Sequence, residues 1–316
     1  MPYFSVIIPL YNKAPYIAKT LKSVLGQTFC DYELIVIDNG STDGSGKIAT
    51  GFNDSRLIIH RLKENIGVSN ARNKGVELSS SPYITFLDAD DWWEPTFLEE
   101  IADLIERYPD VGIYGTGYYI VKNGKKRAAP IGVEEGFVEG EIDYCRVYAK
   151  TLCMPLTSIS VAVPRTIFDK TGGFDPGLDL GEDLDLWLRI VLREKAVLLN
   201  RPLSNYNQDI EKTFSGTHKR RYNPDTFVAF HFDRYGEEEA RNGELKTLLD
   251  KLRVYLLMNF RKHNLFPDKV NREIAKVDFS HVDPIYRFYY KSPFWIVKIY
   301  CLTMEFLSQL KQKIIR

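Results

Sequence analysis

Four apolar segments, each followed by a segment with helical periodicity, constrain the fold of this chain more than any other feature. They cover residues 4–9, 32–38, 57–60 and 83–87. Continuous apolar runs of this length are typical of central strands in a parallel sheet, which is buried on both faces. Because strands and helices alternate four times, the sequence predicts an α/β fold with helices on both faces of the sheet. No Gly-x-Gly-x-x-Gly follows the first strand, which disfavours a dinucleotide-binding oxidoreductase.

The fourth apolar segment ends in three carboxylates, Asp88, Asp90 and Asp91. The carboxyl ends of parallel strands face the ligand crevice, and two aspartates spaced Asp-x-Asp can share a divalent cation. The alternative is an acidic loop that caps the next helix, since Pro95 suits a first helical turn and Asp suits the position before it. Capping accounts for one of the three acids, and on this stretch alone both interpretations stay open.

Two further polar residues are expected at the same edge of the sheet. Asp38 ends the second strand, where a carboxylate commonly binds a ribose or a base edge, although it could equally cap the Ser/Thr/Gly turn that follows. Arg72 lies about one turn into the helix after Gly67 and could reach a diphosphate, although such an arginine is more commonly solvated on a helix face. Together with the aspartates they would form a site for a nucleotide and a metal ion.

The pattern is less regular after residue 110. It predicts strands at 111–121, 157–163 and 196–199, a hairpin turn at 122–125, a helix at 140–150 and a polar loop at 205–220. An amphipathic helix begins at Glu182, because apolar residues follow at helical spacing, and its first turn also carries Asp183. From about residue 221 the pattern is helical and charged.

Five motifs in this order resemble family 2 inverting glycosyltransferases of the GT-A type. They are VIIPLYN at 6–12, VIDNGSTD at 36–43, NIGVSNARN at 65–73, DADD at 88–91 and GEDLDLW at 181–187. The resemblance covers roughly residues 3–210, and five ordered motifs are far more specific than any one of them. It implies a mostly parallel, Rossmann-like sheet flanked by helices, with a C-terminal helical region.

The resemblance also implies roles for individual residues. The general base would be Asp183, in a pair with Glu182. Asp90 would ligate Mg²⁺ or Mn²⁺ bridging the diphosphate, with Asp88 and His218 as further metal ligands. The residues that bind the nucleotide-diphospho-sugar would be Pro9, Tyr11, Asp38, Asn65, Arg72, Asp88, Ala89 and Asp90.

A physical argument for Asp183 stands beside the resemblance. Inversion needs a single in-line displacement, so a base must take the proton of the acceptor hydroxyl opposite the leaving nucleotide. The N-terminal end of a helix favours an ionised carboxylate, and this keeps the base ready at neutral pH. The alternative is that Glu182 and Asp183 only complement the helix dipole, while Asp185 pairs with Arg189.

The segment from Tyr206 to Arg220 corresponds to a loop that closes over the donor in similar enzymes. His218, Lys219 or Arg220 could contact the diphosphate or the metal, but each could also be a solvated charge. Asn207 replaces the arginine that more commonly follows the tyrosine, so the residue that closes the site is not defined by the motif.

Length and resemblance together predict a catalytic domain at 1–220, with a nucleotide-binding half at 1–110 and an acceptor half at 111–220, and a helical region at 221–316. Basic and acidic residues number 42 each. A formal net charge of zero gives no global field for nucleic acid, and none is expected as a partner. Four cysteines without metal-ligand spacing and an N-terminus without a signal peptide suggest a cytoplasmic protein.

The tail, residues 286–316, is aromatic and basic. Charged residues interrupt it, so no stretch reaches the ~20 apolar residues that span a bilayer. It could lie on the inner face of a membrane, or it could pack as a helix on the catalytic domain.

These observations predict an inverting, metal-assisted transferase that uses a UDP-sugar and a saccharide or lipid-linked glycan acceptor, in polysaccharide or cell-envelope synthesis. One alternative is a non-catalytic module that binds nucleotide sugars. Another is an Asp-x-Asp phosphatase, which is disfavoured because Asp91-Trp92 follows the motif where a threonine or valine is wanted.

Overall fold

The structure is a computed structural model and describes residues 1–210 and 223–299. The chain divides into two compact units, Met1–Arg221 and Tyr222–Arg316. Each unit is described by itself below.

The first unit is built on one mixed sheet of ten strands. The strands are β1 (Phe4–Leu10), β2 (Tyr32–Asp38), β3 (Leu57–Arg61), β4 (Tyr83–Phe86), β5 (Trp92–Trp93), β6 (Ile113–Lys122), β7 (Lys125–Ala128), β8 (Glu139–Ile142), β9 (Val161–Pro164) and β10 (Ala196–Asn207). Their order is β3-β2-β1-β4-β9-β6-β10-β5, with β7 beside β6 and β8 beside β10. β1 to β4 are mutually parallel, β9 runs against β4 and β6, and β10 is again parallel to β6.

Seven α-helices accompany this sheet among residues 1–210. They are α1 (Ile17–Leu25), α2 (Ser45–Thr50), α3 (Val68–Leu78), α4 (Phe97–Arg107), α5 (Tyr144–Thr151), α6 (Arg165–Thr171) and α7 (Glu182–Val191). A 3₁₀ turn, Ser158–Ser160, leads into β9. The predicted GT-A type α/β architecture is confirmed, with parallel strands where the first four apolar segments were found.

The core explains why these segments become strands and helices. Nearly every residue of β1 and β2 is buried, as expected for central strands covered on both faces. α3 packs so closely on β1 that a β-carbon added at Gly75 would lie 2.4 Å from Ile7 Cγ2. A glycine is therefore needed at this helix–sheet contact.

Several predicted boundaries differ from the structure. The helix predicted at 140–150 is one of them, because residues 140–142 belong to β8 and α5 begins only at Tyr144. The predicted loop at 205–220 begins too early, because β10 continues through Asn207. Its polar residues are buried against partners distant in sequence: the Asn205 side-chain amide donates to Trp92 O (3.1 Å) and Glu94 Oε1 (2.8 Å). The strand predicted at 157–163 starts only at Val161, after the 3₁₀ turn. α4 begins at Phe97 rather than at Pro95, since Trp92 and Trp93 form β5.

The second unit is helical over its described residues, as predicted. Its α-helices are Gly236–Arg241, Gly243–Leu256, Met258–Lys262, Pro267–Ile274 and Pro284–Lys291. Arg253 is buried in this unit and donates from both Nη atoms to Glu239, at 2.6 and 2.9 Å. Within the described ranges, no helix has both the length and the apolar character that a membrane crossing requires.

Candidate active site

The carboxyl ends of β1, β2 and β4 lie side by side and bring the sequence motifs to one edge of the sheet. Leu10 at the end of β1 is in register with Asp38 at the end of β2, and Ile7 is in register with Phe86 of β4. Because the strands are parallel, the loops that follow them open on the same crevice. The four residues 88–91, named the acidic loop here, occupy the centre of this edge.

The acidic loop is a tight turn held from both sides. The Asp91 N–H donates to Asp88 O (3.0 Å), and the Thr20 hydroxyl of α1 lies 3.0 Å from Ala89 O and 2.7 Å from Asp91 O. On the other side, the Asn207 side-chain amide donates to Asp90 O (3.2 Å). The positions of the loop carboxylates are therefore determined by α1 and by the end of β10.

Asp91 is a buried anchor and not a helix cap. Its Oδ1 accepts from the Asn207 N–H at 2.7 Å, and the residue at the start of α4 is Thr96. Burial raises the pKa of Asp91 well above its usual value, and the nearby Asp90 and Asp88 raise it further. The capping interpretation of the loop is therefore wrong.

Asp90 forms an ion pair with Lys13, which follows the first motif. Burial raises the pKa of Asp90, Lys13 lowers it and Asp88 raises it, so the net direction is upward. Burial and the charge of Asp88 together therefore outweigh the effect of the single lysine on the pKa of Asp90. The loop has the electrostatic character of a site that gains from another cation.

Arg72 joins the acidic loop to α7. Its Nη2 lies 2.7 Å from Asp88 Oδ1 and its Nη1 lies 2.8 Å from Glu182 Oε1, while the guanidinium packs over the ring of Phe174. Arg72 is only 2% exposed, so the interpretation as a solvated helix-face residue is wrong. Burial lowers the pKa of Arg72, but Asp88 and Glu182 outweigh it and raise the pKa. Arg72 therefore stays charged between two acids.

The Glu182–Asp183 pair sits at the first turn of α7, next to Arg72. Burial raises the pKa of Glu182 to about 7, with Arg72 lowering it and Asp183 raising it. Burial also raises the pKa of Asp183, although Arg72 and the Leu184 N–H, 2.7 Å from Asp183 Oδ1, lower it. The helix N-terminus lowers the pKa of Asp183, as expected, but burial raises this pKa by a larger amount.

Asp183 has one further polar neighbour, the Ser158 hydroxyl, 3.4 Å from its Oδ2. Asp185, one residue further along, pairs with Arg189 as expected, at 2.8 Å. The pair at Asp185 stabilises α7, whereas Glu182 and Asp183 face the acidic loop through Arg72. They do more than complement the helix dipole.

The residues predicted to bind the nucleotide surround the loop after β2. Asp38 is 1% exposed and its Oδ1 accepts from the Ser41 N–H at 3.0 Å. A chain of amides continues from it, since Asn39 Nδ2 donates to Asn65 Oδ1 at 3.0 Å. Tyr11, after β1, is exposed and available to a ligand. Pro9 is half-buried within β1.

A pocket of ≈ 410 Å³ opens at the N-terminus of α3. Its lining comprises residues 65–70 together with Pro176, Leu178 and Asp179. Asn65 is thus a pocket residue, as a ligand-binding role requires. The helix N-terminus offers free N–H groups to an anion at this place.

Several residues of this edge were missed by the sequence reasoning. Lys13 could have been identified as a site residue, because it directly follows the first motif. Asn207 could not, because the sequence pattern assigned it to a loop. Tyr206 of β10 faces the acidic loop: partial burial raises the pKa of its phenol to about 12, with Asp91 and Asp88 raising it further. The buried Tyr144 hydroxyl has no hydrogen-bond partner in the described structure and lies near Asp183. Nothing local in the sequence identifies either tyrosine.

The acidic loop offers two carboxylates to the predicted divalent cation. The negative charge of Asp88 raises the pKa of Asp90, an effect that a cation would relieve, and carboxylate oxygens are the ligands that Mg²⁺ and Mn²⁺ prefer. Among residues 1–210 and 223–299, no three His, Cys, Asp or Glu side chains are already grouped to hold a metal. His218, the third predicted ligand, lies outside the described residues. The two aspartates fit a cation whose remaining ligands come from elsewhere.

Comparisons with known proteins agree with this geometry. Residues 5–157 match the family "Glycosyl transferase family 2". Glycosyltransferase GlyA of Streptococcus pneumoniae is 40% identical over 105 residues, which are 33% of this chain and 15% of GlyA. The putative teichuronic acid biosynthesis glycosyltransferase TuaG of Bacillus subtilis is 42% identical over 109 residues, which are 34% of this chain and 43% of TuaG. The chain thus spans less than two thirds of the length of these curated relatives.

A solved structure extends the comparison over most of the chain. Residues 1–349 of S. aureus TarS, in complex with UDP-GlcNAc, superpose with a TM-score of 0.72 at 19% identity, covering 88% of this chain and 82% of that one. This likeness concerns the fold alone. The sequence match and the ordered motifs at the crevice carry the assignment, and residues 5–157 are a glycosyl transferase family 2 segment.

Proposed function

We propose that this chain transfers a sugar from a nucleotide-diphospho-sugar, a UDP-sugar, to a saccharide or lipid-linked glycan acceptor with inversion. The observation that carries the proposal is the Arg72 bridge, with 2.7 Å to Asp88 and 2.8 Å to Glu182. The bridge supports the proposal because one cation joins the donor-side Asp88 to Glu182, the residue next to the proposed base Asp183. Two relatives support the substrate class: TarS was solved with UDP-GlcNAc, and TuaG is named for teichuronic acid biosynthesis.

On the donor side, Tyr11 and Asp38 would hold the base and ribose, next to the half-buried Pro9. Asn65 in its pocket and the backbone at Ala89 would complete the nucleotide contacts. Buried Asp38 is already oriented by Ser41, so it would bind without losing side-chain freedom.

On the acceptor side, Asp183 would take the proton of the attacking hydroxyl on its carboxylate. A base works best when its pKa lies near the working pH, and burial moves the pKa of Asp183 in that direction. The Leu184 N–H and the Ser158 hydroxyl hold the carboxylate in place. Glu182 would keep Arg72 oriented toward Asp88.

Asp88 and Asp90 would hold Mg²⁺ or Mn²⁺, with His218 as a further ligand. A bound divalent cation offsets negative charge on a leaving diphosphate. In the structure the Asp90 carboxylate forms an ion pair with Lys13. Asp90→Asn should therefore weaken Mn²⁺ binding in the presence of UDP, measured by electron paramagnetic resonance, without requiring any turnover.

The proposal is tested first by ligand binding. A thermal-shift screen of nucleotide sugars with Mn²⁺ should show stabilisation by a UDP-sugar, because a ligand that binds only the folded state raises its stability by mass action. With the donor identified, Asp183→Asn should lower transfer by about 10²- to 10⁴-fold, the usual contribution of a general base. Asp103→Asn, an exposed substitution on α4, is the matched control.

Each alternative has its own outcome. Donor binding without transfer or slow hydrolysis would identify a non-catalytic module. Phosphate release from a monoester, with no UDP release from UDP-sugars, would identify an Asp-x-Asp phosphatase. Full transfer by Asp183→Asn would assign the base to another residue.

Residues 286–316 are proposed to contact a membrane surface, which would place the enzyme at its inner face. Phe288, Trp295 and Ile299 are exposed among the described residues of this segment. Exposed aromatic and aliphatic side chains beside lysines suit the interface of an anionic bilayer. Flotation with phosphatidylglycerol liposomes should carry the full chain but not a chain ending at residue 283.

A further inference from the structure

A basic hairpin stands beside the active-site edge, and the proposed mechanism does not use it. It consists of residues 122–127, Lys-Asn-Gly-Lys-Lys-Arg, which join β6 to β7. Asn123 and Gly124 form its turn with positive φ values of 53° and 68°. Their N–H groups donate to the carboxylate of Asp209, and this fixes the turn.

The β6–β10 pairing places this basic hairpin next to the acidic loop. Tyr119 of β6 is in register with Asn205, and Val121 with Asn207. Asn207 in turn donates its N–H to Asp91 at 2.7 Å. The hairpin therefore lies one strand away from the acidic loop, at the same edge of the sheet.

The hairpin combines positive charge with aromatic faces. Lys126 Nζ lies 4.0 Å from the centre of the Tyr119 ring, and on α1 Lys19 Nζ lies 2.8 Å from that of the Trp92 ring. Burial lowers the pKa of Lys19, and Lys126 lowers it further, so the two lysines are neighbours. Glu94 pairs with Lys126 and so neutralises only part of the positive charge of the hairpin.

Two of the cations lack an acidic partner among residues 1–210 and 223–299. Lys125 and Arg127 are exposed on β7, and none of the carboxylates within the described ranges lies at ion-pair distance from either. They are two residues apart on a strand, so their side chains project from the same face about 7 Å apart. Since the whole chain has zero net charge, this surface is a local excess of positive charge.

We propose that the basic hairpin, together with Lys19, is a docking surface for an anionic acceptor glycan, a saccharide chain that carries phosphate or carboxylate groups. The inference rests on the proposed function, because it names the acceptor class of that site. The cations attract the acid groups of the chain, and the half-buried Tyr119 and Trp92 rings hold Lys126 and Lys19 in place beside them. The end of the glycan then reaches Asp183 along the crevice.

Binding of a defined polyanionic saccharide tests the proposal on the full chain. The probe is fluorescein-labelled oligogalacturonate, with a neutral maltooligosaccharide of equal length beside it, followed by fluorescence anisotropy at several salt concentrations. Lys125→Glu with Arg127→Glu should weaken oligogalacturonate binding at least tenfold at low salt. The salt dependence of binding should fall as well, since exposed charges are screened.

The matched control reverses two exposed lysines near the opposite end of the β6–β10 pairing, where Ala196 is in register with Ile113. Lys195 directly precedes β10, and Lys170 pairs with Glu194 beside it. Lys170→Glu with Lys195→Glu changes the net charge by the same amount and should leave binding within twofold of the unchanged chain. UDP binding by both variants confirms that their donor sites are intact.

Three results would overturn the inference: equal binding by the hairpin variant and the unchanged chain, an equal loss in the control variant, or tighter hairpin-dependent binding to phosphatidylglycerol vesicles than to oligogalacturonate. Hairpin-dependent oligogalacturonate binding supports it even if the chain neither hydrolyses nor transfers a donor sugar. In that case the proposed function fails and the docking surface remains.

Discussion

Replacing Glu182 by glutamine tests the electrostatics of the crevice directly. Burial raises the pKa of Glu182 from 4.5 to about 7. Between these two values the folded chain keeps a proton that the unfolded chain has lost, so the free energy of unfolding falls as pH rises. The slope is about 1.4 kcal/mol per pH unit, and the total is roughly 3 kcal/mol across the window. The contribution of Glu182 to the free energy of unfolding is fully present below about pH 4.5 and is lost above about pH 7.5.

The Glu182→Gln variant removes the titration while keeping a hydrogen-bond acceptor for Arg72. We expect the variant to gain stability relative to the unchanged chain between pH 5 and pH 8. Urea unfolding at four pH values, followed by tryptophan fluorescence, measures the difference. The fluorescence reports mainly on the first unit, because it holds Trp92, Trp93 and Trp187.

Glu135→Gln, an exposed substitution in the same unit, controls for the loss of one carboxylate. A difference between Glu182→Gln and the unchanged chain that stays constant from pH 5 to pH 8 would refute the reasoning. It would mean that the 2.8 Å pair with Arg72 keeps Glu182 ionised in spite of its burial.

Two further substitutions address the bridge and the donor side. Arg72→Met should cost about 3–5 kcal/mol in urea unfolding, because it leaves Asp88 and Glu182 without their shared cation; a loss below about 1 kcal/mol would contradict this. Gly46→Ala would place a β-carbon 2.1 Å from Asp38 Oδ2, so Asp38 must move. The KM for the donor should then rise about tenfold with little change in kcat, corresponding to about 1.4 kcal/mol of binding, and an unchanged KM would exclude Asp38 from the donor site.

The parts of the fold that follow local rules could be predicted from the sequence. Apolar runs gave β1, β2 and β4, and the acids at their ends meet at one edge because parallel strands align their carboxyl ends. The end of β10 could not be predicted in this way. Asn205 and Asn207 look like loop residues, and they are accommodated in the strand because Glu94 and the acidic loop accept hydrogen bonds from their side-chain amide nitrogens.

The burial and the hydrogen-bond partners of the site residues depend on contacts between residues that are still further apart in the sequence. Arg72 is buried because Glu182, 110 positions later, meets it across the crevice. Asp91 is an anchor because Asn207, 116 positions later, donates to it. Local patterns describe neither contact, so the sequence indicated which residues gather at the site but not which of them are structural.

The position of β6 sets a limit on how short a working piece of this chain can be. β6 lies between β9 and β10, and both of those strands come after residue 157, where the family match ends. A fragment cut there would expose the whole β6 edge that pairs with β10, and on the other edge the residues Tyr114 and Gly115 that pair with β9, while β7 would still cover the end of the strand. Unpaired edges of this kind recruit other chains. Expression of residues 5–157 alone should give aggregates, and an autonomous catalytic fragment has to extend at least through Asn207.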